Sequence, residues 1–402
     1  MVEVEYGGFR NLMLHNHYYL QGNVVSDKRI YKNMAIEIKD GKIKFVGKKE
    51  TINNNNTDLP IYQVDGWICP GFIDTHIHGL NRYDFMDRTK EGFYRIQDGL
   101  PSFGVTSFLS TSRAATLEDI KTFLLLSKQV VAEERTGAHL LGVHLEGPWI
   151  NQKYKGAQKS EYIVNPVLEE VRSILHLSEG LIRIVTLAPE LPNAVDVIKL
   201  LHEQNVSISA GHTAATYEEV EQAIKYGLSR VTHCFNGMGP ITHRNLTISF
   251  AALDIQELHC EIIADGFHVH SKMIEMLYKM KGVDHITFIS DCTGTNQLPD
   301  GCHQIGGKTV YKQNGKVTLA NGSLAGSSLT LDKAIQFSVH NCNIPLEEAV
   351  QMATYNPAIV CGVSGHKGRI AVGYDADLVI LSNDVAVEST IINGNFVFDC
   401  SE

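Results

Sequence analysis

The hydrophobic positions of the chain follow two different patterns. Near the amino terminus, the segment "MAIEIKDGKIKFVG" alternates apolar and polar residues on both sides of Asp40-Gly41, which predicts two strands joined by a tight hairpin. From Trp67 onward, the apolar residues form short continuous runs instead, which is typical of strands that are buried on both faces. Strands are predicted from these runs at 67–76, 104–110, 139–145, 181–187, 206–210, 230–233, 260–264 and 286–290.

The segments between these runs have the residue spacing of amphipathic helices. Thr116 is a candidate N-cap for a helix over 117–133, and Gly227 follows the end of a helix over 216–226. Further helices are predicted at 165–177, 194–204, 329–340 and 346–354. Strands that alternate with helices in this way predict an α/β fold, namely a TIM-like (β/α)8 barrel.

Three parts of the chain do not fit the barrel pattern. Asn314-Gly315, flanked by alternating residues, predicts a hairpin insertion near 300–323, which we expect to cover the barrel mouth as a lid or substrate wall. The strand-like segments at the two ends do not look self-sufficient, so we expect them to form one small β-sandwich domain together. The predicted domain limits are 1–66 and 363–402 for the two parts of this small domain, and 67–362 for the catalytic barrel.

Composition narrows the classes of function. The formal net charge of -10 comes from 45 acidic and 35 basic residues without long runs of either sign, which argues against nucleic acid or an anionic membrane as a partner. Neither a leader-like segment nor an apolar run of the roughly 18 residues that a membrane span needs is evident, so we expect a cytoplasmic protein. The eight cysteines include no Cys-x-x-Cys pair, which favours reduced thiols over a disulfide framework.

Histidines and acidic residues recur at the carboxyl ends of the predicted strands. That rim carries the active site in barrels of this kind, so residues far apart in sequence are expected to converge there. Imidazole and carboxylate groups are common ligands of zinc and iron. The candidate ligands of a divalent metal ion are His76, His78, Glu146, His212 and His233, and Asp291 is the candidate proton-transfer group.

Seven short segments carry a resemblance to a known family. They are "GFIDTHIHG", "HLEGPW", "SAGHT", "THCFNGM", "DGFHV", "SDCTG" and "GRIAVGYDADLV". This set resembles the amidohydrolase superfamily and, within it, the family of N-acetylglucosamine-6-phosphate deacetylases, over nearly the whole chain. The resemblance implies hydrolysis of N-acetylglucosamine 6-phosphate to glucosamine 6-phosphate and acetate, in amino-sugar catabolism and cell-wall sugar recycling.

The resemblance also implies how the metal is held. Glu146, His212 and His233 would hold the main ion, and His76 and His78 would hold a second ion that Glu146 bridges, giving one or two ions, zinc or iron, per subunit. Other amidohydrolases bridge their metals with a carboxylated lysine after the fourth strand. Here that strand ends "VTLAPE", and the missing lysine agrees with Glu146 as the bridge.

The residues also define a task for Asp291. An amide carbonyl is a poor electrophile and water is a poor nucleophile, and a bound metal activates both by polarising the carbonyl and lowering the pKa of water toward about 7. Asp291 would accept the proton of this metal-activated water and deliver it to the departing nitrogen, as general base and then general acid.

For the sugar phosphate, the resemblance implies a second set of residues. Arg244 and His268 would contact the phosphate, and Arg244 would reach into the neighbouring subunit's site, which implies a homodimer. Some relatives carry a histidine near the substrate carbonyl where this chain has Gln158. The remaining candidate sugar contacts are Ala157, Asn236, Gly237 and Leu324.

Three alternatives remain at this point. A deacetylase for N-acetylgalactosamine 6-phosphate differs only at one sugar hydroxyl, and no residue separates the two epimers. Another metal-dependent amidohydrolase, such as a cyclic amidase or a deaminase, is weakened by the absent lysine. A non-catalytic barrel predicts damaged ligands, whereas all six candidate metal and proton-transfer residues are intact.

Overall fold

The structure, a computed structural model, describes residues 16–51 and 59–400. Its first four strands belong to a small sheet at one end of the molecule. Asp40 and Gly41 form the turn between the second and third strands with φ values of 51° and 73°, as the Asp-Gly signal predicts. These strands are β1 (His17–Ser26), β2 (Arg29–Lys39), β3 (Lys42–Lys48) and β4 (Ile61–Pro70).

After β4, eight strands form a parallel barrel whose hydrogen-bonded order follows the order of the chain. They are β5 (Phe72–Ile77), β6 (Val105–Thr111), β7 (His139–Glu146), β8 (Ile182–Leu187), β9 (Ser207–Ala210), β10 (Leu228–Val231), β11 (His259–Ile262) and β12 (Ile286–Phe288). Two short strands, Gly79–Leu80 and Tyr83–Asp84, lie in the chain between the first and the second barrel strand and pair with each other. Beyond β12, the backbone N–H of Asp291 donates to the carbonyl of His76 at 2.8 Å. This bond ties the last strand to the first at the carboxyl end of the barrel.

Helices cover the outside of the barrel, and their first turns use the predicted caps. The Thr116 side chain accepts from the backbone N–H of Asp119, and Thr216 forms a capping box with Glu219. Within 16–51 and 59–400, no helix has the length and hydropathy of a membrane span. The helices are α1 (Lys90–Gly99), α2 (Leu117–Val131), α3 (Leu168–Ser178), α4 (Ala194–Glu203), α5 (Tyr217–Ile224), α6 (Ile248–Asp254), α7 (Ser271–Lys281), α8 (Leu331–Asn341), α9 (Leu346–Ala353) and α10 (Tyr355–Val360).

The insertion after the barrel is a three-stranded antiparallel sheet. Its strands are β13 (Gly301–Ile305), β14 (Lys308–Gln313) and β15 (Lys316–Thr318). Asn314 and Gly315 form the predicted turn with φ values of 49° and 84°. The apolar side chains of the insertion pack together and against Ala157, which lies in the loop after β7. The insertion therefore forms one wall of the barrel mouth.

The chain returns to the small sheet with β16 (Leu378–Leu381), β17 (Val387–Ile392) and β18 (Asn395–Asp399). β16 pairs with β4, so strands from both ends form one seven-stranded terminal sheet. Its apolar cluster combines residues from both ends, such as Ile36 and Ile391. The predicted fold class, a TIM-like barrel with a β domain built from both termini, is confirmed.

One predicted strand covers parts of two different strands of the structure. The apolar run at 67–76 divides at Gly71, since Trp67 to Pro70 pair with β16 in the terminal sheet and the barrel begins with β5. Hydrophobicity alone does not show this division because both parts are buried and the apolar run continues through it. The predicted domain limits remain a prediction.

Candidate active site

The candidate metal and proton-transfer residues all lie at the carboxyl end of the barrel. His76 and Glu146 lie within the last two residues of their strands, and the other four follow strand ends directly or within three residues. His212, His233 and Asp291 have positive φ values of 47°, 30° and 46°, a conformation that residues other than glycine rarely adopt. Such backbone strain clusters at functional sites, where the surrounding structure holds it in place.

The first group consists of Glu146, His212 and His233, whose side chains are buried. The Nε2 atoms of His212 and His233 each lie 3.2 Å from Glu146 Oε1, and the two Nε2 atoms are 3.1 Å apart. The Nδ1 of His212 faces the carbonyl of Tyr154 at 2.8 Å. Because a carbonyl only accepts, this Nδ1 carries a proton, and in the neutral ring the Nε2 carries a lone pair.

Lone pairs and a carboxylate oxygen at these separations repel one another unless a proton or a cation lies between them. Two imidazole nitrogens and a carboxylate are also a common donor set for zinc and other first-row metals. The position of the His212 ring depends on the absence of a side chain at Gly237, since a Cβ atom there would lie 2.8 Å from His212 Nδ1. This group therefore fits a divalent metal ion.

A second group shares Glu146 with the first and adds His76 and His78. The Nε2 of His78 lies 3.4 Å from Glu146 Oε2, and the Nε2 of His76 lies 3.4 Å from Glu146 Oε1. His78 directs its Nδ1 at the carbonyl of Thr111 at 3.3 Å, which again leaves Nε2 as the inward lone pair. Glu146 is thus shared by two possible ligand sets.

The electrostatics of the site favour a positive charge. Burial alone would lower the pKa of an imidazole, but the pKa values of His76, His78 and His212 are raised because the carboxylates of Glu146 and Asp291 favour the cationic form. Burial alone would raise the pKa of Glu146, yet the neighbouring imidazoles hold that pKa well below its usual value. The same negative potential would attract a metal cation.

Asp291 lies between the candidate metal ligands and the open mouth. Its Oδ1 is 3.2 Å from His78 Nε2 and 3.7 Å from His76 Nε2, and its side chain is 12% exposed. Burial raises the pKa of the carboxyl, but the adjacent imidazole of His78 and the charge of His76 lower this pKa to about 2. The group is therefore an ionised carboxylate at neutral pH and can accept a proton.

Gln158 contacts the carboxylate of Glu146 directly. Its Nε2 donates to Glu146 Oε2 at 2.5 Å, and its Oε1 accepts from the backbone N–H of Ala114 at 3.1 Å. The Ala114 bond fixes which end of the amide faces Glu146, because only the carbonyl end can accept. Gln158, predicted as a substrate contact, is thus also a partner of the shared carboxylate.

A cavity of about 250 Å³ opens beside Glu146, Gln158 and Asp291. It is lined by most of the sequence-predicted residues and by one wall of the insertion. Among the predicted residues, those that line the cavity are His78, Glu146, Ala157, Gln158, His212, His233, Asn236, Gly237, His268, Asp291 and Leu324. His76 lies beneath the cavity floor, buried among the other ligands.

The two predicted phosphate contacts are placed differently. His268 lines the cavity, and its Nδ1 lies 2.7 Å from Asp265 Oδ2, which leaves its Nε2 for a ligand. Arg244 is exposed in the irregular segment between β10 and α6 and does not line the cavity of its own chain. Its predicted role in a neighbouring subunit's site stays a prediction.

Two basic residues of the cavity were not predicted. Arg113 follows the end of β6 and pairs with Asp84 at 2.6 Å, and Lys308 of the insertion donates to the carbonyl of Ala157. Burial and the nearby charge of Arg113 lower the pKa of Lys308 to about 8. Arg113 also follows the carboxyl end of a barrel strand, so the argument that identified the other site residues applies to it equally. The sequence does not show which side chains of the insertion face the cavity, so it does not identify Lys308.

Comparisons with known proteins identify similar chains. The model of the amidohydrolase family matches residues 67–397. The chain is 35% identical over 366 residues to an N-acetylglucosamine-6-phosphate deacetylase of Lysinibacillus sphaericus, covering 90% of this chain and 93% of that protein. It is 33% identical over 327 residues to an N-acetylgalactosamine-6-phosphate deacetylase of Escherichia coli O157:H7, covering 81% of this chain and 86% of that protein.

A solved structure extends the comparison to three dimensions. A mutant N-acetyl-D-glucosamine-6-phosphate deacetylase of Mycobacterium smegmatis, in complex with N-acetyl-D-glucosamine-6-phosphate, superposes with a TM-score of 0.88 at 28% identity. The superposition covers 95% of this chain and 100% of that one. Since the family match spans the barrel and the relatives align over most of their length, the chain belongs to the amidohydrolase family.

Proposed function

We propose that the protein is a metal-dependent amide hydrolase that removes the acetyl group of N-acetylglucosamine 6-phosphate to give glucosamine 6-phosphate and acetate. The observation that carries the proposal is the convergence of Glu146, His212 and His233 on one point at the floor of the cavity. The relative of Lysinibacillus sphaericus and the Mycobacterium smegmatis structure support the substrate, since their names specify this sugar phosphate.

The two ligand groups have distinct tasks in this proposal. Glu146, His212 and His233 would hold the main ion, zinc or iron, and His76 and His78 would hold a second ion together with Glu146. When bound, a divalent ion supplies Lewis acidity that polarises the acetyl carbonyl and lowers the pKa of the attacking water. Burial of the ligands excludes competing bulk water and strengthens every charge interaction at this point.

Asp291 moves the proton. Its carboxylate faces both the ligand cluster and the cavity, so it can accept the proton of the attacking water. It then donates this proton to the sugar nitrogen, which leaves as a neutral amine instead of an unstable amide anion. The Asp291 backbone is anchored on both sides, by its N–H to the His76 carbonyl at 2.8 Å and by its own carbonyl, which accepts from Ser327 N–H at 3.0 Å. These bonds hold the carboxylate at a fixed distance from the reacting atoms.

The walls of the cavity orient the sugar phosphate. His268 contacts the phosphate through Nε2, and Asp265 fixes its ring by accepting from Nδ1. Arg244 completes the phosphate site of a neighbouring subunit in a homodimer, which agrees with its exposure and its absence from its own cavity. Ala157, Gln158, Asn236, Gly237 and Leu324 contact the sugar and its acetyl group. A cytoplasmic location remains a prediction from the sequence.

One second substrate has specific support. The Escherichia coli relative is named as an N-acetylgalactosamine-6-phosphate deacetylase and aligns at 33% identity. The two substrates differ in the orientation of one hydroxyl, and the same ligand set and proton carrier would serve both.

Acetate release decides between these substrates. The zinc-reconstituted protein is incubated with each epimeric 6-phosphate, beside a Glu146→Gln variant that lacks the shared ligand carboxylate. We expect acetate release from the glucosamine epimer at a higher kcat/KM than from the galactosamine epimer, and none above background from the variant. Protein that releases no acetate from either compound when loaded with zinc and when loaded with iron would refute the deacetylase function.

A further inference from the structure

A buried ion pair lies inside the barrel beneath the metal ligands. Glu261 on β11 and Arg230 on β10 are 0% and 2% exposed, and Arg230 Nη2 lies 3.5 Å from Glu261 Oε1. The interior of such a barrel is usually filled by branched apolar side chains. Removing two charged groups from water costs more free energy than a single contact at 3.5 Å between them restores. Stability therefore does not explain the pair.

Glu261 also contacts a candidate ligand directly. Its Oε2 lies 3.1 Å from the Nδ1 of His76. An ionised carboxylate only accepts hydrogen bonds, so His76 must donate from Nδ1 and present Nε2 as a lone pair. This Nε2 is buried and has no hydrogen-bond partner in the described part of the chain, although Glu146 Oε1 lies 3.4 Å away.

The partner of His76 differs in kind from those of the other ligands. His78 and His212 direct Nδ1 at the backbone carbonyls of Thr111 and Tyr154, and the Nδ1 of His233 has no hydrogen-bond partner among the described residues. A carboxylate partner fixes the ring and raises its basicity as a ligand more than a carbonyl does. Among these histidines of the described residues, only His76, a candidate ligand of the second ion, has a carboxylate as the partner of its Nδ1.

His76, Glu261 and His144 also lie close enough together to be considered a third ligand group. Both nitrogens of His144 are engaged, however, with the carbonyl of Thr75 at 3.1 Å and with Thr186 Oγ1 at 2.8 Å. The cluster is thus a hydrogen-bonded support beneath the site and not a further ion site.

We propose that Glu261, with its charge balanced by Arg230, is a positioning residue that holds His76 ready to bind the second metal ion. The proposal rests on the proposed metal function and adds the residues that make the His76-His78 side able to bind. Without an acceptor at Nδ1, His76 is free to rotate or to place its proton on Nε2, and the second ion loses a ligand.

Two double variants separate this role from simple packing. Glu261→Met/Arg230→Met removes both charges and the acceptor, whereas Glu261→Gln/Arg230→Met removes both charges but keeps an amide oxygen that can accept from Nδ1. The side chains of Gln and Met are similar in length, so the pair differs mainly in the hydrogen bond. Each purified protein is stripped of metal, titrated with Zn²⁺ alone, and analysed for bound zinc and dissociation constants.

We expect the unmodified protein and the Gln-containing variant to bind two zinc ions per chain. The Met-only variant should bind the first ion normally and the second about 10–100-fold more weakly, the usual cost of losing an outer hydrogen-bond partner of a ligand. If the Met-only variant fails to fold, the Gln-containing variant still tests the proposal by its second zinc ion. Loss of that ion from it, full retention by the Met-only variant, or only one zinc in the unmodified protein would overturn the proposal.

These measurements count zinc and do not use acetate release. A protein that binds zinc as expected but does not deacetylate would refute the proposed function and leave the role of Glu261 standing. The reverse result, deacetylation with one zinc ion per chain, would refute the role of Glu261 alone.

Discussion

The barrel mouth and the terminal sheet are both buried, but they are filled in opposite ways. The terminal sheet encloses an apolar cluster that includes Tyr18, Leu20, Ile36 and Ile38. The mouth encloses histidines and carboxylates, and three of these residues have strained positive φ values. Burial of apolar surface stabilises the fold by about 25 cal/mol per Å². Polar groups lose favourable hydration when they are buried, and their contacts inside the protein do not fully restore this free energy. Stability and chemistry are therefore supplied by different regions.

Removal of the metal gives the largest expected effect. Treatment with a chelator should reduce acetate release below detection, because the buried imidazoles and Glu146 alone cannot activate water sufficiently. Added Zn²⁺ should restore the activity. Elemental analysis verifies that the treated protein is free of metal. If such protein still turned over substrate at the full rate, the metal-dependent reaction at the barrel mouth would be refuted.

The variant Asp291→Asn should be the next largest in effect. Asn keeps the size of the side chain but cannot accept the proton, so kcat should fall about 10²–10⁴-fold while zinc content is unchanged. Asp332→Asn is a matched control, since Asp332 is equally buried in the first turn of α8 and lies outside the cavity. Equal losses in the two variants would remove Asp291 from its assigned role.

Truncation of a side chain in the terminal sheet should lower stability and leave the activity of the folded protein unchanged. Ile36→Ala removes a fully buried side chain, so the free energy of unfolding should fall by about 2–5 kcal/mol while the kcat of the folded protein is retained. Urea denaturation measures the loss, and Ile36→Val should cost only about 0.5–1.5 kcal/mol. A fall in kcat that matches the fall in stability would show that the two regions are not separable.

The smallest effect is expected at a helix cap. Thr116→Ala removes the side-chain acceptor for Asp119 N–H and should lower the free energy of unfolding by about 0.5–2 kcal/mol. Thr116→Ser keeps the hydroxyl and should stay close to the unmodified protein. Thermal denaturation of the three proteins distinguishes the loss of this hydrogen bond from an unrelated change of packing.

Local patterns predicted much of the fold and of the site. The buried strands produce continuous apolar runs, and the position of Glu146, His212, His233 and Asp291 at the carboxyl ends of predicted barrel strands predicts that they lie close together. The first barrel strand was predicted too long because its apolar run begins in another sheet. Glu261 was not identified because an acidic residue within an apolar strand gives no sign of which side chain it meets, and Arg230 was assigned only as the start of a strand. Such contacts depend on how strands are arranged around the barrel.

The left-handed backbone at His212, His233 and Asp291 has a practical consequence for engineering. Glycine would relieve a conformational cost of about 1–3 kcal/mol at each position, but it would also delete the side chain that the position exists to present. A search for thermostable variants that ranks substitutions by folding energy alone would therefore select inactive proteins at these three sites. Heat tolerance is better sought in the terminal sheet and the outer helices, where an added methyl group or an improved cap leaves the reacting atoms in place.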